Sequence, residues 1–244
     1  MNKNKIILPL DVDSAKKAVE LVEILKDDVG AFKVGLELVN SAGLTIFDKI
    51  REAGAEKIFY DCKFHDIPNT VAGASRAAAK LGVWMFNVHC SGGFEMMKRA
   101  KEAAIETSEQ LGVTPPVVIG VTVLTSIDQL ILSDELKVTG SLTNQVVHFA
   151  MMAQEAGLDG VVASPHEIEL IRAACGADFL IVTPGVRPAG GEIGDQKRVM
   201  TPKEAVERGA DYLVIGRPII KAEDPKTAAK AIAAEIGSAP QFTS

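Results

Sequence analysis

The chain has 244 residues, 47% apolar and 24% charged, a composition that fits a globular protein with room for one large domain. Its net charge of −6 argues against nucleic acid or an anionic membrane as the main partner and leaves a small anionic ligand open. Three cysteines without CxxC spacing suggest neither a disulfide framework nor a zinc site, the first residues are too charged for a signal peptide, and no apolar run has membrane-spanning length, so a cytoplasmic setting is expected.

Eight apolar runs of strand length follow one another, at 6–11, 31–35, 57–63, 85–89, 117–123, 160–164, 179–184 and 212–216. Helical patterns lie between them. Ala15, Ala18, Val19, Val22 and Leu25 form the first apolar stripe, Leu142, Val146, Phe149, Ala150 and Ala153 a later one, and Ala228, Ile232 and Ile236 the last. Ser164-Pro165-His166-Glu167 and Thr201-Pro202-Lys203-Glu204 read as capping boxes with proline in the first turn, and Asp224-Pro225 as a weaker start. Gly30, Gly82, Gly112, Gly157 and Gly209 stand where helices should end.

Strict alternation of strand and helix predicts a parallel sheet with right-handed crossovers. Eight such units in this length match an α/β fold of the (β/α)8 TIM-barrel type, built as a single domain over residues 1–244. A doubly wound open sheet competes, but the first strand leads into Asp11-Val12-Asp13-Ser14 and not a GxGxxG turn. The two longest strand-to-helix loops, 125–141 and 185–199, are expected to be lids or binding loops.

In a barrel, groups at the carboxyl ends of the strands converge on one mouth. Strand one offers Asp11, strand two Lys33, and strand three Asp61 and Lys63. Side-chain alternation points Asp61 and Lys63 the same way, and Asp66 follows in the turn before a helix. A lysine inside a buried strand such as Lys33 must be paired or face a wet cavity. Strand seven ends Thr183-Pro184-Gly185-Val186-Arg187 and strand eight Ile215-Gly216-Arg217-Pro218, the barrel position that often holds a phosphate. Gly216 lets backbone approach an oxyanion, Arg217 can pair with it in bidentate fashion, and Arg187 and Gln196 can close over it; a helix cap or surface ion pair is the plainer use of Arg217. His65, His89, His148, Trp84, Met96 and Met97 read as packing or loop support, and no cluster has metal-ligand spacing.

Asp61 to Thr70, DCKFHDIPNT, resembles the signature of the orotidine 5′-monophosphate decarboxylase family, which makes UMP. The resemblance extends to Leu10-Asp11, Lys33-Val34-Gly35, Val121 to Ser126, Val182 to Pro188, Gly194-Asp195-Gln196 and Ile215 to Pro218. It implies a (β/α)8 homodimer with shared active sites and no metal or organic cofactor. It casts Lys63 as proton donor in a charged network with Lys33, Asp61 and Asp66, the last reaching in from the partner subunit with Thr70. It places Asp11 and Lys33 on the ribose, Thr125 on the pyrimidine, and Arg187, Gln196, Gly216 and Arg217 on the phosphate, with Ile67 and Pro184 completing the substrate-binding set. Two rivals stay open. One is a metal-dependent phosphosugar lyase of the same superfamily, which shares DxKxxD but carries an acid where Lys33 stands. The other is a non-catalytic nucleotide or phosphosugar sensor.

Overall fold

A computed structural model describes residues 2–188 and 200–238. Eight strands run Ile6–Pro9 (β1), Ala31–Gly35 (β2), Ile58–Phe64 (β3), Met85–His89 (β4), Val117–Val121 (β5), Gly160–Val162 (β6), Leu180–Pro184 (β7) and Tyr212–Val214 (β8). Each pairs in parallel with the next, and β8 pairs with β1, so the sheet closes into the expected (β/α)8 barrel. The helices are Ala15–Leu25 (α1), Leu36–Ala42 (α2), Ile46–Glu52 (α3), Pro68–Lys80 (α4), Phe94–Leu111 (α5), Leu142–Glu155 (α6), Ile168–Cys175 (α7), Pro202–Glu207 (α8), Arg217–Ile220 (α9) and Pro225–Gly237 (α10).

Alternation along the strands sorts the apolar residues into two cores. Ile7, Ala31, Phe59, Met85, Ile119 and Val182 fill the barrel interior. Their neighbours Ile6, Leu8, Phe32, Ile58, Phe86 and Val118 face outward and pack with the helical stripes. At the amino ends of the strands, Trp84 meets Tyr212 edge-on at 5.2 Å and carries Lys57 over its ring at 5.1 Å. Two aspartates brace the same end: Asp159 accepts from the Val118 N–H and pairs with Lys101, and Asp211 accepts from the Ile181 N–H and pairs with Arg172. Closure below leaves the carboxyl ends of the strands as the place for a site.

Four strands stop two residues short of the sequence boundaries, β1 at Pro9, β5 at Val121, β6 at Val162 and β8 at Val214. Isolated ladder bonds from Thr122 to Val162, Ala163 to Val182 and Ile215 to Ile7 still continue the sheet before the loops turn away. Thr201 makes the full capping box. Ser164 does not: it begins a 3₁₀ turn, Pro165–Glu167, that precedes α7. Asp224 is stronger than expected, accepting from the N–H groups of both Lys226 and Thr227. Gly30 is present for close approach, since a Cβ there would lie 2.4 Å from the Asn4 carbonyl oxygen. The 125–141 loop contains a π-helical turn, Ile131–Glu135, and is stapled by Gln129, whose side chain donates to the Gly140 carbonyl and accepts from the Leu142 N–H.

Candidate active site

Four charged residues interlock at the barrel mouth. The Lys33 ammonium, on β2, lies 3.0 Å from Asp11 Oδ1 and 3.0 Å from Asp61 Oδ2. The other Asp61 oxygen, Oδ1, is 2.5 Å from the Lys63 ammonium. One carboxylate thus stands between two ammonium groups, and both Lys33 and Asp61 are only 8% exposed. Burial pushes the Asp61 carboxyl up, but Lys33, Lys63 and the Asn87 amide outweigh it and bring its pKa down to about 2. Burial lowers the Lys33 pKa in turn, and Asp61 and Asp11 more than offset that, leaving it raised. Lys33 and Asp61 therefore hold their charges at neutral pH. Cys62 takes no part: burial drives its thiol to about 12, so it stays a neutral, weak nucleophile.

The expectation that Asp61 and Lys63 both reach the mouth holds, but simple alternation is not the cause. Tyr60 pairs with Phe86 and Phe64 with Val88, so residues 61–63 of β3 stand opposite Asn87 alone. This irregularity turns Lys63 into the left-handed region, at φ +50°. Asn87, absent from the sequence-based site, fills the gap: its Nδ2 donates to Asp61 Oδ1 at 2.7 Å, and its Oδ1 accepts from the Lys63 N–H at 2.7 Å. A polar residue at an inward register inside the apolar run Met85–His89 was the available signal. Gly35 also borders the array, since a Cβ there would come within 3.1 Å of the Lys33 ammonium. His89 is half-buried beside this cluster, its ring 5.3 Å from that of His65. Burial, then His65 and Lys63, lower its pKa, which favours the neutral ring.

The other expected residues fall into two groups. Pro184 ends β7, Gly216 precedes α9 and Arg217 opens it. Arg187 lies near enough to Arg217 that burial first, and then that second guanidinium, lower its pKa. Two cations in proximity at the ends of β7 and β8 suit a dianion. The Arg187 N–H donates to the Met200 carbonyl, tying together the two ends of the 185–199 loop; Gln196 lies outside the described residues. Thr125 is exposed beyond β5. On the β3 side, Asp66, Ile67 and Thr70 are exposed, and Asp66 Oδ1 accepts from the Ile67 N–H. Among the described residues no ion pair joins Asp66 to Lys63. The structure thus brings together Asp11, Lys33, Asp61 and Lys63, while Asp66 stays apart from them.

Residues 4–232 match the model of the orotidine 5′-phosphate decarboxylase / HUMPS family. The chain belongs to that family. A family member named orotidine 5′-phosphate decarboxylase from Moorella thermoacetica is 54% identical over 96% of this chain and 92% of its own length. One of the same name from Syntrophomonas wolfei is 51% identical over 96% and 98%. The crystal structure of orotidine 5′-phosphate decarboxylase from Lactobacillus acidophilus superposes with a TM-score of 0.85 at 39% identity, covering 96% of this chain and 99% of that one.

Proposed function

We propose that this chain is a carboxy-lyase that decarboxylates orotidine 5′-monophosphate to UMP and CO2, the final step of de novo pyrimidine nucleotide synthesis, with neither metal nor organic cofactor. The observation that carries this reading is the Asp61 carboxylate clasped between the Lys33 and Lys63 ammonium groups in a chain 54% identical to a named decarboxylase.

Loss of CO2 from C6 of the pyrimidine leaves an electron pair in an sp² orbital perpendicular to the ring π system. Resonance cannot spread that charge, so the protein must stabilise a localised carbanion and protonate it. The Lys63 ammonium serves both needs, as the nearest cation and as the acid that forms the new C6–H bond. Asp61 holds it in place, Lys33 holds Asp61, and Asp11 with Lys33 would take the ribose hydroxyls. Thr125 would read the pyrimidine, Ile67 and Pro184 would line the base and phosphoribosyl sides, and Arg187, Gln196, Gly216 and Arg217 would bind the phosphate. Because the phosphate is remote from C6, its binding energy can be used to close the site and expel water.

The working unit in this reading is a homodimer of single-domain barrels. Asp66 and Thr70, exposed here, would enter the partner's mouth and complete an alternating network around Lys63. Leu36, Ile67 and Phe94, large apolar side chains 52%, 67% and 36% exposed around the same end of the barrel, support burial of this face. Three buried free cysteines and the absence, among the described residues, of any helix long and apolar enough to cross a membrane are compatible with a cytoplasmic enzyme.

Metal-dependent phosphosugar lyases of the same superfamily resemble this chain at DxKxxD, and Lys33 separates the two readings. Those enzymes carry an acid at the β2 position, whereas Lys33 puts an ammonium against Asp61. That charge opposes a divalent cation at the same carboxylate. The purified protein is expected to consume orotidylate, followed by its ultraviolet absorbance, at an undiminished rate in excess EDTA. Absence of turnover would overturn the reading, and turnover abolished by EDTA would overturn its cofactor-free form.

A further inference from the structure

We propose that Asn87 is a positioning residue for the decarboxylation, locking the β3 irregularity so that Asp61 and Lys63 address the same point. The inference deepens the decarboxylase reading and rests on it.

Asn87 is 1% exposed and lies opposite the three residues of β3 that have lost ordinary pairing. Its two amide atoms take over what the ladder would have done. Oδ1 satisfies the Lys63 N–H at 2.7 Å, exactly where φ +50° removes that group from a strand partner. Nδ2 donates at 2.7 Å to Asp61 Oδ1, the same oxygen that receives the Lys63 ammonium. The Asn87 backbone carbonyl in addition accepts from the Cys62 thiol at 3.1 Å. One side chain therefore fixes the backbone of the proton donor and the carboxylate that orients its ammonium.

The chemistry requires an amide. A carboxylate in the same place can accept from the Lys63 N–H but cannot donate to Asp61, and it adds a negative charge beside an ionised acid. Two carboxyl groups sharing a site raise the pKa of one of them. The protonated form of the pair regains a donor, so the defect of Asn87→Asp should be relieved by acid.

The test compares the wild-type enzyme with Asn87→Ala and Asn87→Asp. Misplacement of a reacting group by about 1 Å is worth about 10²-fold in rate, and that is the fall in kcat expected for Asn87→Ala, with UMP affinity changed by less than about threefold. For Asn87→Asp, kcat is expected to decline as pH rises from about 6 to about 8, through a limb that the wild type lacks. A residue that only packs the strand would give neither the split between kcat and UMP affinity nor the new limb. Wild-type kcat in Asn87→Ala, or losses of kcat and UMP affinity in equal measure, overturns the inference, as does an Asn87→Asp profile parallel to wild type. If either variant fails to fold, Asn87→Ser, which offers one hydroxyl in place of the amide, should give a kcat below wild type at unchanged UMP affinity; wild-type kcat there also overturns it. Because the wild type is assayed alongside, inactivity confined to the variants bears on Asn87, whereas an inactive wild type defeats the decarboxylase reading and the inference together.

Discussion

Lys63→Ala is expected to abolish turnover of orotidylate while UMP still binds within about tenfold of wild type. The substitution removes two contributions at once. Proton transfer by a positioned acid is worth about 10² to 10⁴ in rate, and a fixed charge at the developing anion is worth about as much again. A fall of at least about 10⁴-fold in kcat follows. Product affinity should survive because the ribose and phosphate contacts fall to other residues. The substitution also leaves Asp61 with one ammonium, that of Lys33 at 3.0 Å, so the carboxylate remains compensated and the barrel should fold. Decarboxylation near the wild-type rate by this variant would remove Lys63 from the mechanism. Equal loss of UMP binding would recast it as a binding residue.

The second large effect is expected at the other end of the substrate. Arg217→Ala should lower kcat/KM by about 10²- to 10³-fold, the scale of a lost charge-assisted bidentate pair whose energy is used in the transition state. Arg187 is left at the same site, its charge no longer opposed by the second guanidinium. If phosphate binding acts by closing the site, its energy need not come through the covalent substrate. Added phosphite dianion should then raise the wild-type rate on an orotidine lacking phosphate, and raise it far less in Arg217→Ala. A truncated substrate that ignores phosphite in the wild type would rule out this remote use of binding energy.

Much of this arrangement is legible in the amino-acid sequence. The barrel follows from eight short β-rich runs separated by helical periods, because a parallel sheet of that length has few ways to bury both faces. Lys33 stood out because an ammonium in an apolar strand demands partners, and it has two carboxylates at 3.0 Å. Strand ends were less legible: β6 and β8 stop at Val162 and Val214 where the apolar runs continue, since hydrophobicity reports burial and not ladder pairing. Local geometry at residue 63 was not legible at all. Period-two reasoning put Asp61 and Lys63 on one side for the wrong reason, because the irregularity is written across two strands, in the match between residues 61–63 and Asn87. Asp66 was singled out by its place in the turn after β3, and its role across subunits only by resemblance; within this chain it is exposed.

The left-handed backbone at Lys63 implies that catalysis and folding make opposite demands on this position. An L-residue at φ +50° is held there against its own preference by about 1 kcal/mol, a cost glycine would escape. The proposed mechanism needs the amine of Lys63 at a position where the main chain alone would favour glycine. Lys63→Gly and Lys63→Ala both delete the amine, so comparing them isolates the backbone, and the glycine variant should be the more resistant to heat. If alanine proves the more resistant, the tension is released elsewhere, and the proton donor sits there without conformational penalty.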